Sequence, residues 1–268
     1  IGDFMKKVDY LLLFGIIMIS IFGVVMIYSA SYVWAEYKFH DPLKFAKTQF
    51  LFLVVSYILI FFSLKIPYQK YLSYANLIFF ICFILLILVL IPGIGTVRNG
   101  SRSWFGIGGF GIQPSEFTKL GMIIFTSKYL AYNEKVLKNI KSGVLPILGV
   151  LMLVFGLIML QPDFGTGVII VISIIVLLFV SGVNMGFFIK LGFIGLLGVV
   201  ALIIAAPYRM KRIVSFLNPW SDPLGSGFQI IQSLYAIGPG GLLGLGFGNS
   251  IQKHFYLPEP QTDFIFAI

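Results

Sequence analysis

Charge is scarce in this chain: Asp, Glu, Lys and Arg together supply 11% of its 268 residues. Soluble domains carry roughly 25%, so an ordinary soluble domain is excluded. Cysteine is scarcer still. The single Cys82 lies inside an apolar run, which rules out an intrachain disulfide or a thiolate metal cluster and leaves buried packing as its role. Two histidines, His40 and His254, stand far apart and form no HExxH pattern, so histidine metal chemistry has no support. Strict alternation of apolar and polar residues, the mark of a barrel strand, is missing from the apolar runs. The glycines at Gly244, Gly246 and Gly248 follow no strand of a βαβ unit, which removes the nucleotide-loop reading. Asn99, Gly100 and Ser101 match a glycosylation sequon by pattern alone and carry no weight.

What is present is apolar. Hydrophobic residues make up 59% of the chain and the mean hydropathy is +0.99. Seven apolar runs stand out, Tyr10 to Ser29, Gln49 to Leu64, Ala75 to Ile91, Pro114 to Tyr132, Val144 to Leu160, Thr166 to Ser181 and Phe187 to Ala205. A bilayer core of about 30 Å asks for about 20 residues per helix, and open sheet is forbidden in lipid. The fold class is therefore all-α, a polytopic helical membrane protein with about seven spans in one bundle over residues 1–268. The first run is too long for a signal-peptide core and no cleavage pattern follows it, so it is read as a retained helix. Gly192, Gly195 and Gly198 are expected to pack against neighbouring helices. The net charge of +9 resides in short loops, which points to anionic membrane lipid and lipid phosphates as partners and not to nucleic acid.

The stretch 206–262 is too long for a simple turn and is rich in glycine, so it is read as a long functional loop. Inside it, Phe228 to Ile237 places apolar side chains at helical spacing and predicts an interfacial or re-entrant helix. An eighth span is expected to begin at Asp263 and to be cut off, so the chain is treated as a fragment. Counting spans puts Tyr32 to Thr48, Pro92 to Gln113, Gln161 to Asp163 and the long loop on one face of the membrane. Lysine and arginine counts on the two faces are about equal. Long loops are partly exempt from the positive-inside rule, and discounting the last one favours a cytoplasmic N-terminus.

An ionisable group near the bilayer centre costs at least about 2.5 to 3.5 kcal/mol, so each asks for a reason. Three places stand out. Gln113, Pro114, Ser115 and Glu116 are followed by Lys119 on the same helical face. They form either a helix start with an interfacial ion pair or an ion pair lining a polar groove. Gln161, Pro162, Asp163 and Gly165 break the chain between two spans, with Asp163 either capping the next helix or facing substrate. Glu259, Pro260, Gln261, Thr262 and Asp263 lead into an apolar run, with Thr262 or Asp263 as a cap or Asp263 as a chemical group. Arg98, Arg102, Arg209, Lys211, Arg212 and Lys253 share that face as a phosphate-attracting rim.

Four blocks, in order, carry a resemblance: RNGSRSWFGIGGFGIQPSEFTKL from Arg98, QPDFGT from Gln161, NPWSDPLGSGFQIIQSLYAIGPGG from Asn218 and FYLPEPQTDFIFAI from Phe255. They resemble the shape, elongation, division and sporulation family, the FtsW and SpoVE branch more than RodA, over essentially the whole chain. The resemblance implies ten spans in the family, of which about seven are present here. It implies a peptidoglycan glycosyltransferase in the bacterial inner membrane that polymerises lipid II at the outer face. It also implies a class B penicillin-binding protein as partner transpeptidase, and lipid II with polyprenyl-linked glycan as substrates. Asp263 would be the catalytic residue, a general base taking the proton of the acceptor 4-hydroxyl in an inverting displacement. Arg102, Arg212 and Lys119 would stabilise the leaving pyrophosphate, and Trp104, Glu116, Asp163, Lys253 and Glu259 complete the substrate-binding set. Relatives place a basic residue directly before the tryptophan, whereas here Ser103 precedes Trp104 and Arg102 sits one place earlier. No cofactor is implied, and a divalent cation at the pyrophosphate stays open. Two other readings remain: a transporter that flips lipid-linked precursors, and a non-catalytic scaffold for division enzymes.

Overall fold

Nine α-helices and one small antiparallel sheet make up the described chain. The computed structural model describes residues 9–98, 100–107, 110–137, 139–205, 207–241 and 244–268, with the backbone alone at 107, 110, 199, 202, 203, 205, 207–209 and 212. The chain groups into two compact units, Ile1–Lys65 with Val199–Ile268 and Ile66–Gly198.

In the second of these units, α3 (Tyr68–Leu88) and α4 (Pro114–Tyr132) pack side by side, with α5 (Leu145–Met159) and α6 (Phe164–Val180) against them. The sequence explains the contact faces. Ile147, Leu151, Val154 and Ile158 recur at helical spacing on α5 and are buried, facing Ile170, Ile174 and Leu178 of α6. Phe79 stacks on Phe125 with ring centroids 4.6 Å apart. Gly167 and Gly121 let the helices close up, since a Cβ at either would press on Phe155 at 3.0 Å or on the Cys82 sulfur at 3.1 Å. These two, and not Gly192, Gly195 and Gly198, are packing glycines: around that trio a Cβ would meet nothing within 4 Å among the described residues. A π-helical turn at Ile140–Val144 extends α5 backward.

Between α3 and α4 the loop expectation is corrected. Thr96–Arg98 (β1), Ser101–Ile107 (β2) and Phe110–Ile112 (β3) form a meander in the order β1, β2, β3. Arg98 pairs with Ser101 and Ile107 with Phe110, so both connections are two residues long.

The other unit holds α1 (Tyr10–Phe39), α2 (Lys44–Leu64), α8 (Pro207–Leu217) and α9 (Phe228–Ile237), while α7 (Met185–Ala205) begins in one unit and ends in the other. Asp9 caps α1 by accepting from the Leu12 amide at 3.0 Å. The helix runs ten residues beyond the expected Ser29, because nothing between Ala30 and Phe39 breaks it; it stops at His40 (φ 54°), with Pro42 two residues on. The connection to α2 shrinks accordingly. Within 206–262 the short amphipathic α8 was not foreseen, whereas α9 occupies the expected residues.

By length and composition, α1, α2, α3 and Ile140–Met159 are long and apolar enough to cross a membrane. Two shorter apolar helices, Phe164–Val180 and Met185–Gly198, accompany them. The remaining expected span, α4, carries Glu116, Lys119 and Lys128 and falls short on composition. Large apolar side chains are left outward, Leu11 at 82% and Ile19 at 74% exposure, as helices solvated by lipid require. The protein is an all-α, multi-pass membrane protein.

Candidate functional site

In the unit Ile66–Gly198 the polar residues collect around the turn 161–163. Alternation along β2 sends Ser101 and Ser103 to one side and Arg102 and Trp104 to the other. Ser103 is buried and accepts from the Ser101 hydroxyl at 2.9 Å; the Ser101 hydroxyl also reaches the Gln161 carbonyl. The sheet is thereby tied to the turn by the serines, which leaves Arg102 and Trp104 on the opposite face. The Arg98 guanidinium lies 5.3 Å from the Trp104 ring centroid. Gly111 passes beneath that pair, where a Cβ would sit 2.5 Å from Arg98 Nη1 and 2.8 Å from Trp104 Cε3.

Pro114 opens α4 at its first turn, where its missing N–H costs nothing. The Gln113 side-chain amide donates to Asp163 Oδ2 at 2.7 Å, and Asp163 Oδ1 accepts from the Thr166 amide at 3.3 Å as the cap of α6. Asp163 is thus a cap held by a second helix start. Glu116 and Lys119 make an ion pair at 2.8 Å, with the glutamate side chain about half exposed.

In the other unit, the segment 251–264 is a succession of turns. Phe255 and Glu259 take left-handed backbone, φ 68° and 50°, which side chains of that bulk rarely adopt. Thr262 closes on Glu259 through its amide, at 3.2 Å to the carbonyl, and its hydroxyl. Glu259 accepts at 3.5 Å from the Gln261 amide and the Thr262 hydroxyl. Beyond it, the 3₁₀ turn Ile265–Ala267 is anchored by a small cluster of Ala236, Leu257 and Ala267. Asp263 lies between these two fixed points and is exposed; among the described residues no hydrogen bond or ion pair engages it. It caps no helix, and the expected eighth span shows only that 3₁₀ turn.

Lys253, expected on a phosphate-attracting rim, is instead packed inside the loop. Its side chain is buried, at 2% exposure, with the ammonium donating to the Gly248 carbonyl and lying 4.7 Å from the Tyr32 ring centroid. The Gly248 amide in turn donates to Ser29 Oγ on α1 at 3.1 Å. Tyr28 stacks on Phe247 and Tyr37 packs edge-on against Phe255, so the segment is clasped along α1. Lys253, Glu259, Gln261 and Trp34 of α1 line a cavity of about 240 Å³. The Arg212 side chain lies outside the described residues, as does that of Arg209.

A family model described as cell cycle protein, covering FtsW, RodA and SpoVE, matches residues 10–268. The chain belongs to the FtsW, RodA and SpoVE family. Among relatives of this family, stage V sporulation protein E of Bacillus subtilis (strain 168) is 55% identical over 260 residues, covering 97% of this chain and 71% of that protein. A probable peptidoglycan glycosyltransferase FtsW of Trichlorobacter lovleyi is 40% identical over 264 residues, 98% of this chain and 69% of its own. A solved structure concerned with the coordination of polymerization and crosslinking by a peptidoglycan synthase complex aligns over 83% of this chain and 65% of its own. The identity there is 30% and the TM-score 0.59. A crystal structure of an aspartate-to-alanine mutant of the Thermus thermophilus rod shape determining protein RodA shares the fold, with TM-score 0.53 and 22% identity over 97% and 95% of the two chains.

The expected site residues thus fall into separate groups: Asp163 is joined to the start of α4 through Gln113, Glu116 and Lys119 pair with each other, Arg102 and Trp104 lie on the sheet face away from the 161–163 turn, and Lys253, Glu259 and Asp263 share one loop of the other unit. Among the described residues no three His, Cys, Asp or Glu side chains gather to hold a metal ion. Sequence reasoning missed Trp34. Its signal was the unbroken helical continuation SYVWAEYKF, which carries an aromatic residue past the apolar run.

Proposed function

We propose that this peptidoglycan glycosyltransferase uses Asp263 as the general base in polymerising lipid II. One observation carries the assignment: of the four carboxylates the sequence singles out, only Asp263 is uncommitted. Asp163 holds the Gln113 amide and the α6 N-terminus, Glu116 is paired to Lys119, and Glu259 accepts within its own turn. A base needs a free lone pair within hydrogen-bond reach of the proton it takes. Asp263 has that lone pair at an exposed position, on a segment fixed on both sides.

In this reading the Asp263 carboxylate accepts the proton of the acceptor 4-hydroxyl while that oxygen attacks the anomeric carbon of the donor. The bond from that carbon to the diphosphate breaks, and the configuration inverts from α to β. Negative charge develops on the leaving diphosphate, and cations beside it are needed to neutralise it. The likeness to a synthase complex that couples polymerization to crosslinking supports a class B penicillin-binding protein as the partner. The apolar helices and the family support residence in the bacterial cytoplasmic membrane.

The test is reconstitution of the full-length protein with its partner transpeptidase on labelled lipid II. Asp263→Asn is expected to abolish polymer and to retain lipid II binding. Polymer formation at the normal rate by that variant refutes the base assignment.

A further inference from the structure

A second cavity lies between α3 and α4, at the opposite end of α4 from the 161–163 turn. About 240 Å³ in volume, it is lined by Asn76 of α3, by Phe125, Lys128, Tyr129 and Tyr132 of α4, and by Asn133, which follows α4. None of these residues enters the proposed reaction. Three of them are fixed from within the protein. Phe125 is stacked on Phe79 at 4.6 Å, the Tyr129 hydroxyl donates to the Ser142 carbonyl of the π turn at 3.2 Å, and the Asn133 amide donates to the Tyr129 carbonyl at 2.9 Å. Lys128 and Asn76 are not held in this way. Lys128 is half-buried on a membrane helix, and among the described residues no hydrogen bond, ion pair or ring contact engages either side chain. A cation so placed is costly unless an anion answers it. Glu134, the nearest carboxylate along the chain, is exposed and makes no ion pair among the described residues.

Charge, surroundings and size together indicate the missing anion. Lys70, Lys135 and Lys141 share this end of the unit. The expected span count puts that end on the side of the N-terminus, where the leaflet is anionic and basic pockets between spans take lipid headgroups. Leu77 and Phe80, beside Asn76 on α3, are 54% and 59% exposed, so the α3 rim is a lipid-facing surface along which acyl chains can lie. The volume falls below the roughly 300 to 1,000 Å³ of sites for drug-sized ligands, which suits a single headgroup. We infer that this cavity binds the headgroup of an anionic glycerophospholipid, phosphatidylglycerol. Its phosphate meets the Lys128 ammonium, and its glycerol hydroxyls meet the Asn76 amide and the Tyr132 hydroxyl. Because Tyr129 ties the wall to the π turn, an occupied site braces α4 against the start of α5.

The full-length protein in detergent is followed by native mass spectrometry and thermal unfolding, with phosphatidylglycerol, phosphatidic acid, phosphatidylcholine or soluble glycerol 1-phosphate added. Wild type is expected to hold one phosphatidylglycerol more tightly than phosphatidylcholine and to melt at a higher temperature with it. Lys128→Met keeps the bulk of the side chain and removes its charge. It is expected to weaken that binding about tenfold or more, as loss of a charge-assisted hydrogen bond does, and to abolish the melting shift, whereas Lys128→Arg keeps both. Asn76→Leu is expected to erase the preference for phosphatidylglycerol over phosphatidic acid. Unchanged phosphatidylglycerol affinity in Lys128→Met overturns the site, and a lower lipid-free melting temperature alongside it makes Lys128 a structural residue. Equal retention of phosphatidylcholine by wild type reduces the cavity to ordinary annular lipid, and displacement by glycerol 1-phosphate at equal concentration reassigns it to a free anion; either overturns the proposal. An unaltered preference in Asn76→Leu overturns the headgroup placement. Binding is the readout throughout, so failure of the base assignment leaves this outcome untouched.

Discussion

Gly111 shows how much a single hydrogen can matter. Its backbone runs against both Arg98 and Trp104, so Gly111→Ala must push the indole or the guanidinium aside. Overpacking of this kind costs about 1 to 3 kcal/mol; the expected outcome is a shifted Trp104 emission, read in a Trp34→Phe, Trp220→Phe background, with reduced polymerisation. Asp222 gives a pH-dependent counterpart. The Ser226 amide and then its hydroxyl hold its carboxyl below the usual range; desolvation, which raises it, is outweighed, and the Gly225 amide and Lys211 lower it further. A depressed carboxylate contributes stability that is present above its unfolded pKa and lost as pH falls through the folded value. Protection of the Ser226 amide from hydrogen exchange should therefore persist at neutral pH and fade in acid below the ordinary carboxylate range, and Asp222→Ala should remove it at every pH. At this scale the sequence was informative about types and poor about partners. Asp163, Glu116 and Asp263 all read as either cap, pair or catalyst, and only the position of Gln113, fifty residues from Asp163, separates the first from the last.

Among the elements, α4 meets α6 through that same glutamine. Gln113→Leu leaves the Asp163 carboxylate without its side-chain donor and is expected to cost about 1.5 to 3 kcal/mol, the range for hydrogen bonds to charged groups, measured by thermal unfolding in detergent. Removing the Glu116 and Lys119 charges together should cost under about 1 kcal/mol, because a part-exposed pair three residues apart is weak. The elements themselves were largely legible. Long apolar runs located all seven long helices and helical spacing located α9, since lipid leaves few alternatives. The meander between α3 and α4 was missed although Asn99 and Gly100, flanked by short alternating runs, are a hairpin signal. In a chain this apolar, a polar stretch of some twenty residues reads as a loop by contrast. Helix ends were the other weakness, because α1 continues through residues too polar for a membrane window but entirely suited to a helix.

For the molecule as a whole, the outward apolar side chains fix a membrane setting, and the expected span count puts the sheet and the 134–136 turn on opposite faces. Cys82 is the single cysteine and is buried against α4, so a Cys82→Ala background gives clean labelling. Val97→Cys, in the exposed β1, should react with a membrane-impermeant maleimide on intact cells, and Lys135→Cys only after permeabilisation. The reverse pattern would invert the orientation. Sequence could supply this topology but not the grouping of polar residues, which depends on contacts between segments distant in the chain. The bond from Gly248 to Ser29 spans 219 residues. Ribosomes add about 5 to 20 residues per second, so the first helix enters the bilayer tens of seconds before its serine finds that donor. During this interval Ser29 and the tyrosine face beside it wait for their loop partners, so this stretch of α1 is completed by the last part of the chain to be made.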